Sequence, residues 1–355
     1  MPPFRFNLPT LNQLTRSQKQ AINEEQSVIV TGVPGSGKTV VSIYRLLSSS
    51  DNTELITYTR LLKTSIAHSA IASSIEASRK IHTIHAWYWT KTKTSLIDAI
   101  ENETVSEQLN SIKLKNLIID EAQDMELSFY RALADNCKRI SIGADDDQKM
   151  YDVDTTEFAL RKIFNNNVVF ELGQNFRNRF EIFNFARQFL PENPRANDKN
   201  ILERLFAENS GGDLPYLYIS NSESNRAQFI DKILDNNRNK NIAILLFNKS
   251  EVNDYYKTIL DLGYECSKYH NDLSSLEKEN VEKNLKNILV TTFHSSKGLE
   301  FDIVIMPSFE KATESRKRYY YVGCTRAKDN LFIISSSKPS ILFNFDEDTY
   351  LTEKQ

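Results

Sequence analysis

One glycine-rich segment limits what this chain can fold into more than any other feature. Residues Gly32–Thr39 read GVPGSGKT, which fits the pattern G-x-x-x-x-G-K-[ST] without a mismatch. An apolar run, Ser27–Thr31, precedes the segment, and Val40–Leu47 follows with the apolar spacing of a helix. The sequence therefore predicts a strand, a phosphate-sized loop and a helix in that order, which a P-loop requires.

Each residue type in this loop has a chemical task. The glycines Gly32, Gly35 and Gly37 let backbone N–H groups turn inward around the β- and γ-phosphates of a nucleotide. Lys38 supplies positive charge, and Thr39 offers a hydroxyl to Mg²⁺ at the helix N-terminus. A glycine turn that matches the pattern by chance is the alternative, and it leaves the flanking strand and helix unexplained.

A second segment supplies the carboxylates that a P-loop needs. The apolar run Leu117–Ile119 delivers Asp120 and Glu121 at its C-terminal end, where open α/β sheets keep their sites. We assign Asp120 to the metal and Glu121 to the attacking water as general base. A charged pair after a strand is usually solvent-exposed and without a specific role, but the strand and the P-loop together favour the catalytic interpretation.

Three further polar residues are candidates for contact with the γ-phosphate. Gln148 follows the strand predicted at Arg139–Ile142 and is a candidate sensor. Arg177 lies in QNFRN and Arg326 in YVGCTRA, and both are candidate arginine fingers. Viewed alone, each arginine is more often a solvated surface residue.

Strand-like and helix-like segments alternate along the chain, which predicts α/β domains with parallel sheets covered by helices on both faces. The pattern starts again at Val168–Leu172, so we expect two such domains in series. We place them at residues 1–165 and 166–340, followed by an acidic tail at residues 341–355.

Composition excludes several classes of protein. The chain has 355 residues, with 44 Lys and Arg against 47 Asp and Glu and a formal net charge of −3. This balance argues against coating nucleic acid by bulk charge, although a local basic groove stays possible.

Cys137, Cys266 and Cys324 are too far apart for a disulfide framework, so we expect a reducing, cytoplasmic location. No apolar run approaches the roughly 18–20 residues that span a bilayer, so we expect no membrane partner.

Taken in order, the segments resemble the motifs of the UvrD/Rep/PcrA-like superfamily 1A DNA helicases. The matches are Leu14–Ile22 to the Q motif, Gly32–Thr39 to motif I, Asp120–Gln123 to motif II, Gly143–Tyr151 to motif III, Asn175–Arg177 to motif IV, Thr291–Asp302 to motif V and Tyr321–Ala327 to motif VI. The resemblance runs from about residue 11 to residue 336. Motifs I, II, V and VI in one series are highly specific.

The resemblance implies two RecA-like domains, 1A and 2A, with ATP and Mg²⁺ between them and single-stranded DNA across the top. It implies that Gln18 reads the adenine and that Glu300 lies at the ribose. The implied DNA-binding residues are Thr59, Thr83, His85, Tyr151, Thr292 and His294.

The sequence also departs from this family. Residues 40–119 leave space for no more than a stub of domain 1B, which we place near residues 87–115, and the interval from Tyr269 to Ile288 is too short for domain 2B. After Tyr151, the Trp and Arg of the family are replaced by Val153 and Asp154. The segment Trp87–Lys93 either stacks on bases or is the apolar face of a packed helix with solvated lysines.

Two functions remain open at this point. The first is an ATP-driven motor that translocates on single-stranded DNA and separates duplex weakly without help. The second is a nucleotide-switched ATPase subunit that regulates a protein partner such as a nuclease. Short UvrD-like proteins occur beside nucleases in bacterial anti-phage defence, and the missing insertions suit that role.

Overall fold

The computed structural model describes residues 3–4, 7–49, 52–71, 73–112, 114–191, 202, 205–206 and 209–355. The chain forms two compact units. The first unit is Phe6–Gln174, and the second is Asn175–Gln355 together with Met1–Arg5.

A six-stranded parallel sheet with the order β3-β2-β4-β5-β1-β6 is the centre of the first unit. Its strands are β1 (Val28–Gly32), β2 (Thr53–Thr57), β3 (Ile81–Thr83), β4 (Leu114–Ile119), β5 (Cys137–Ala144) and β6 (Val168–Leu172). Every residue of β1 is buried, as expected for a central strand covered on both faces.

Short helices connect these strands. They are α1 (Arg16–Asn23), α2 (Lys38–Ser48), α3 (Arg60–Ile71), α4 (Ile75–Ser78), α5 (Ile84–Thr92), α6 (Leu96–Glu101), α7 (Val105–Asn110), α8 (Leu127–Asn136) and α9 (Glu157–Ile163). Side-chain caps fix several starting points, because a Ser or Thr oxygen satisfies a backbone N–H that the first turn leaves unpaired. Thr15 caps α1 and Thr83 caps α5 in this way.

The second unit has a seven-stranded parallel sheet with the order β13-β7-β12-β11-β8-β10-β9. Its strands are β7 (Tyr216–Ile219), β8 (Ile242–Leu246), β9 (Ser267–Tyr269), β10 (Ile288–Thr292), β11 (Phe301–Met306), β12 (Ala327–Ser335) and β13 (Leu351–Lys354). The α-helices among its described residues are α10 (Phe180–Ala186), α11 (Glu223–Asn236), α12 (Lys249–Asp261), α13 (Ser275–Lys283) and α14 (Lys317–Cys324). The predicted fold class, two α/β domains with parallel sheets covered by helices, is confirmed.

The boundary between the units differs from the predicted one at residues 165 and 166. Val168–Leu172, which we expected to begin the second domain, forms β6 and pairs in parallel with β1 over its whole length. The break therefore comes after Gln174. At the other end, Phe4 belongs to the second unit, where its N–H donates to Leu285 O at 2.9 Å and its ring packs on Phe301.

Two other segments are more fully built into the fold than expected. The proposed stub of domain 1B contains α6, α7 and most of α5, whose apolar residues join the core of the first unit. The acidic tail is not a separate segment, because β13 pairs with β7 and Tyr350 is buried with its ring 5.7 Å from that of Phe185.

Candidate nucleotide-binding site and neighbouring surfaces

The P-loop joins β1 to α2 in the first unit. Gly35 and Gly37 adopt φ values of 73° and 91°, in the left-handed region that glycine enters without strain. A Cβ at Gly37 would also collide with the side-chain nitrogen of Gln18. Gly37 is the N-cap of α2 and offers no side chain to cap it, so the first N–H groups of α2 remain available to an anion.

An unsatisfied hydroxyl in this loop supports the assignment to phosphate. Ser36 is 1% exposed, and within the described part of the chain its Oγ has no hydrogen-bond partner. Leaving a buried donor unpaired costs about 1–3 kcal/mol. A phosphate oxygen in the loop would satisfy that hydroxyl, so the residues present fit a nucleoside polyphosphate.

Lys38 is held by three oxygen atoms. Its Nζ lies 2.7 Å from Gly32 O, 3.0 Å from Val33 O and 3.0 Å from Asp145 Oδ2. The ammonium group and the carboxylate are both buried. The loop therefore holds the charge of this lysine against its own backbone, as a phosphate-binding loop requires.

Asp120 lies at the end of β4, beside the start of α2. Its Oδ2 accepts a hydrogen bond from Thr39 Oγ1 at 2.8 Å, and its Oδ1 accepts one from Ser42 Oγ at 3.3 Å. Burial and the charge of Glu121 raise the pKa of Asp120 to about 7, against the hydrogen bond from Thr39 and the charge of Lys38. A hydroxyl beside a buried carboxylate fits Mg²⁺, which takes few protein ligands and completes its shell with water and phosphate oxygens.

Glu121 has an unusual backbone conformation for its residue type. Its φ is 59°, in the left-handed region that a non-glycine residue rarely occupies. Its carboxylate is mostly buried and accepts a hydrogen bond from Gln123 Nε2 at 2.6 Å. Such outliers concentrate at functional sites, which agrees with the predicted role of Glu121 as a base.

Two predicted nucleotide contacts are held by the protein itself. Gln18 Oε1 accepts from the N–H of Thr15 at 2.8 Å, and Gln18 Nε2 donates to Ser36 O at 2.9 Å, so this side chain supports the P-loop in the present conformation. Gln148 Nε2 donates to Asp145 Oδ2 at 2.5 Å. Contact of either residue with a nucleotide stays a prediction.

Two predicted site residues of the second unit, Arg177 and Glu300, form a charged cluster with Lys328. Glu300 accepts from Arg177 Nε at 3.2 Å and from Lys328 Nζ at 2.5 Å. Although burial raises its pKa, the charges of Arg177 and Lys328 hold the pKa of Glu300 below its usual range. Arg326 is fully buried, and its guanidinium donates to Val322 O at 3.1 Å and to Leu299 O at 3.4 Å. The roles of Glu300 at a ribose and of the arginines at a phosphate stay predictions.

Three aromatic rings meet at the C-terminal edge of the first sheet. The Tyr58 ring lies 4.5 Å from that of Tyr151 and 5.8 Å from that of His85, and we call these three residues the aromatic cluster. The hydroxyls of Thr59 and Thr83 are used as helix caps, since they accept from the N–H groups of Leu62 and Ala86, respectively. The structure thus brings two predicted DNA contacts, His85 and Tyr151, to one surface.

The other two predicted DNA contacts lie on the second unit. Thr292 Oγ1 donates to Ser295 Oγ at 3.1 Å, and the His294 ring lies 4.8 Å from the ring of Tyr319. Nearby, the guanidinium of Arg316 lies 3.6 Å from the centre of the Phe247 ring. Cations beside aromatic rings suit single-stranded nucleic acid.

The structure decides between the two interpretations of Trp87–Lys93. Trp87 is 1% exposed and donates from Nε1 to Glu54 Oε2 at 3.2 Å, so it belongs to the core of the first unit. Lys91 binds the same carboxylate at 2.7 Å. Trp89 alone among the aromatics of this segment is exposed, at 56%. The packed-helix interpretation is therefore correct for most of the segment.

Three residues with evident positions in these sites were not predicted: Ser42, Tyr58 and Asp145. Ser42 is one helical turn after Lys38, and that spacing places both on one face of α2. Tyr58 directly precedes Thr59, at the end of β2. Asp145 is the first of three consecutive aspartates, and the sequence does not indicate which of the three turns inward.

Across the described residues, no helix combines the length and the apolar character that a membrane crossing needs.

Comparisons with known proteins find a family-model match in each unit. A family model described as a UvrD-like helicase C-terminal domain matches residues 268–338, and one described as an AAA domain matches residues 17–154. The RecBCD enzyme subunit RecB of Chlamydia pneumoniae is 43% identical over 65 residues, which are 17% of this chain and 6% of that protein. DNA helicase II of Rickettsia typhi is 28% identical over 179 residues, or 46% of this chain and 23% of that protein.

The alignments thus span less than a quarter of either relative's length. Among solved structures, Dbp5 of S. cerevisiae bound to RNA and ADP·BeF3 superposes with a TM-score of 0.57 at 12% identity, covering 97% of this chain and 90% of that one. At this identity the likeness shows the fold alone.

Proposed function

Because the chain belongs to the UvrD-like superfamily 1 helicases, we propose that it hydrolyses ATP and uses the reaction to translocate on single-stranded DNA. The observation that carries the proposal is the convergence of Lys38, Thr39, Asp120 and Glu121 at one end of the first sheet. These are the residue types that phosphoryl transfer to water requires.

In this proposal the P-loop binds the triphosphate through the N–H groups of α2, and Lys38 binds its phosphate oxygens. Thr39 and Asp120 would hold Mg²⁺, which neutralises charge on the phosphates as they react. A water molecule attacks the γ-phosphorus, the bond to the β-phosphate oxygen breaks, and Glu121 accepts the proton that the water loses. Gln148 contacts the γ-phosphate as a sensor, and Arg177 and Arg326 stabilise the negative charge of the transition state.

The aromatic cluster supports single-stranded DNA as the track. Stacking a base on an aromatic side chain is worth about 1–3 kcal/mol and does not depend on the base, so a motor can step along any sequence. The affinity for DNA should nevertheless be low, because Asp152 and Asp154 are exposed beside Tyr151 and repel phosphate. We therefore expect little separation of duplex without help.

A specific observation also favours the second function. The exposed carboxylates near Tyr151 and the net charge of −3 reduce affinity for DNA without altering the nucleotide site. A subunit that closes on ATP in order to regulate a nuclease, as in anti-phage defence, needs the nucleotide-binding site and does not need a surface that binds DNA tightly. DNA indifference together with stimulation of ATP turnover by a protein partner would identify this function.

The test is the steady-state ATPase rate measured against the length of single-stranded DNA, with a Glu121→Gln variant as the inactive control. A translocase shows a rate that rises with length over many nucleotides, since a longer track permits more steps before release. A rate that saturates at the length of one binding site would contradict translocation. Robust unwinding of a long duplex by the isolated chain would contradict the expected weak strand separation.

A further inference from the structure

The carboxylate of Asp145 connects the P-loop lysine to the candidate sensor. Asp145 follows β5 directly and is 1% exposed. Its Oδ2 accepts from Lys38 Nζ at 3.0 Å and from Gln148 Nε2 at 2.5 Å. Its Oδ1 accepts from the N–H of Asp147 at 3.2 Å and so caps the short 3₁₀ turn Asp146–Gln148. One side chain therefore performs three tasks.

These contacts leave Lys38 without a spare donor. An ammonium group has three N–H bonds, and the three oxygens within reach are Gly32 O, Val33 O and Asp145 Oδ2. A phosphate oxygen can gain a hydrogen bond from Lys38 only by replacing one of these acceptors. Two of them are carbonyls of the loop backbone, whereas the carboxylate of Asp145 is on a side chain that can turn away.

We propose that Asp145 is a positioning residue that competes with the bound triphosphate for Lys38 and thereby signals occupancy of the P-loop to Gln148. The inference rests on the proposed ATPase function and deepens it. Before nucleotide arrives, Asp145 neutralises Lys38 and holds Gln148 by its amide. When phosphate oxygens take Lys38, Asp145 loses its cation, and the turn that it caps is free to rearrange.

The turn has neighbours through which this change can act. The N–H of Asp145 donates to Gln123 Oε1 at 3.1 Å, and Gln123 in turn binds Glu121, the proposed base. In the other direction, Tyr151 is three residues beyond Gln148 and belongs to the aromatic cluster. The same displacement thus reaches the groups proposed for hydrolysis and a ring proposed for DNA.

An Asp145→Asn variant of the full chain tests the competition. It keeps the size of the side chain and removes the charge that pairs with Lys38. We expect the variant to bind a non-hydrolysable ATP analogue about 3–10-fold more tightly, because a charge-assisted competitor is lost. We expect kcat to fall at the same time, since Gln148 loses its anchor. An Asp135→Asn variant, which removes an exposed charge from α8, should match the wild type in both measurements.

Tighter binding together with a lower kcat is a combination that general damage to the site does not produce. Weaker binding of the analogue by Asp145→Asn, or values equal to those of wild type, would overturn the proposal. Wild-type protein that binds the analogue and hydrolyses no ATP would overturn the proposed function and leave this inference standing, because the affinity comparison does not require turnover.

A measurement on the wild-type protein guards against a variant that does not fold. Hydrogen exchange of the peptide covering residues 143–150 should become faster when the ATP analogue binds, because the cap on the N–H of Asp147 is released. Unchanged or slower exchange in that peptide, at analogue concentrations that saturate the site, would overturn the proposal.

Discussion

Both units contain a buried central strand followed by a helix, and the two junctions differ at the helix N-terminus. At the first, Gly37 caps α2 without a side chain, and no acidic residue lies in the first turn. At the second, β8 leads into α12, and Glu251 in its first turn accepts from the N–H of Asn248 at 3.3 Å. A carboxylate thus already occupies the positive end of α12, whereas the end of α2 is open to an external anion.

The same architecture therefore supports two different helix N-termini, of which one can bind an external anion. The N-terminus of α2, with its glycines and Lys38, suits a site for phosphate. The N-terminus of α12, which already holds the carboxylate of Glu251, does not. The second unit instead offers cations, Arg177 and Arg326, each held by acceptors on its own unit. If the proposed function is correct, removing cations from the second unit should affect turnover and removing the loop lysine should affect binding as well.

The largest expected effect concerns Arg326. The Arg326→Ala variant should lose about 10³–10⁵ in ATPase rate and retain binding of an ATP analogue, as expected for an arginine that acts on the transition state. Because Arg326 is fully buried, melting curves must accompany the assay. An Arg238→Ala variant, which removes an exposed arginine of the same unit, provides the control. Near-normal hydrolysis by a folded Arg326→Ala variant would contradict the proposed role of Arg326 in the chemistry.

Replacing Lys38 with alanine should have the next largest effect. We expect a loss of at least about 100-fold in kcat/KM, because a group that binds the phosphates in both the ground state and the transition state is removed. Unlike Arg326→Ala, this variant should also lose affinity for the analogue, which equilibrium titration measures. Lys162→Ala, at an exposed position of α9, is the matched control. If Lys38→Ala kept its affinity for the ATP analogue, the proposed difference between Lys38 and Arg326 would be contradicted.

The aromatic cluster should produce a moderate effect. Tyr58→Ala and Tyr151→Ala should each weaken binding of single-stranded DNA by about 5–150-fold, which corresponds to about 1–3 kcal/mol per lost stacking contact. Fluorescence anisotropy with a labelled oligonucleotide measures this change. Phe158→Ala removes a 78% exposed ring outside the cluster and should have no effect. Equal affinities for all three variants would place the DNA elsewhere.

The smallest effect concerns stability and its dependence on pH. Charges from Arg177 and Lys328 hold the pKa of Glu300 below its ordinary value against the effect of burial. The folded state therefore gains stability above the unfolded pKa and loses it as pH falls through the folded value. Glu300→Gln should lower the free energy of unfolding by about 0.5–1 kcal/mol at pH 7. Denaturant titration should find that the difference shrinks as pH falls below the ordinary glutamate pKa of about 4.3, and a difference that stays constant with pH would contradict this assignment.

Local pattern was sufficient to predict most of the fold and the first-unit site. Strand β1, the loop and α2 follow from the spacing of apolar residues and glycines, and Asp120 follows from the strand before it. The predicted domain boundary at residues 165 and 166 differs from that of the structure because the composition of β6 does not indicate which sheet it joins. Only its pairing with β1 shows this. The pairing of β13 with β7 was missed for the same reason, since its side chains are mostly exposed and carry no alternating apolar pattern.

Contacts of individual polar groups were beyond such reasoning. Asp145 stands next to two other aspartates, and only the path of the turn determines that its carboxylate reaches Lys38. The role of Gln18 at an adenine stays a prediction, but the sequence did not indicate that the capping box of α1 fixes its amide oxygen on the N–H of Thr15. Periodicity does not encode these distances, because they depend on how loops from separate strands meet in space.

The position of Phe4 has a consequence for how the protein forms during synthesis. Residues 6–174 can fold as they leave the ribosome, since all the strands of the first sheet lie within them. Phe4 leaves the ribosome before all the strands of the first sheet. Its partners, Leu285 and Phe301, are synthesised after all of those strands. Phe4 can therefore make this contact only after nearly 300 further residues have been added, and the second unit is completed by a residue that precedes the whole first unit.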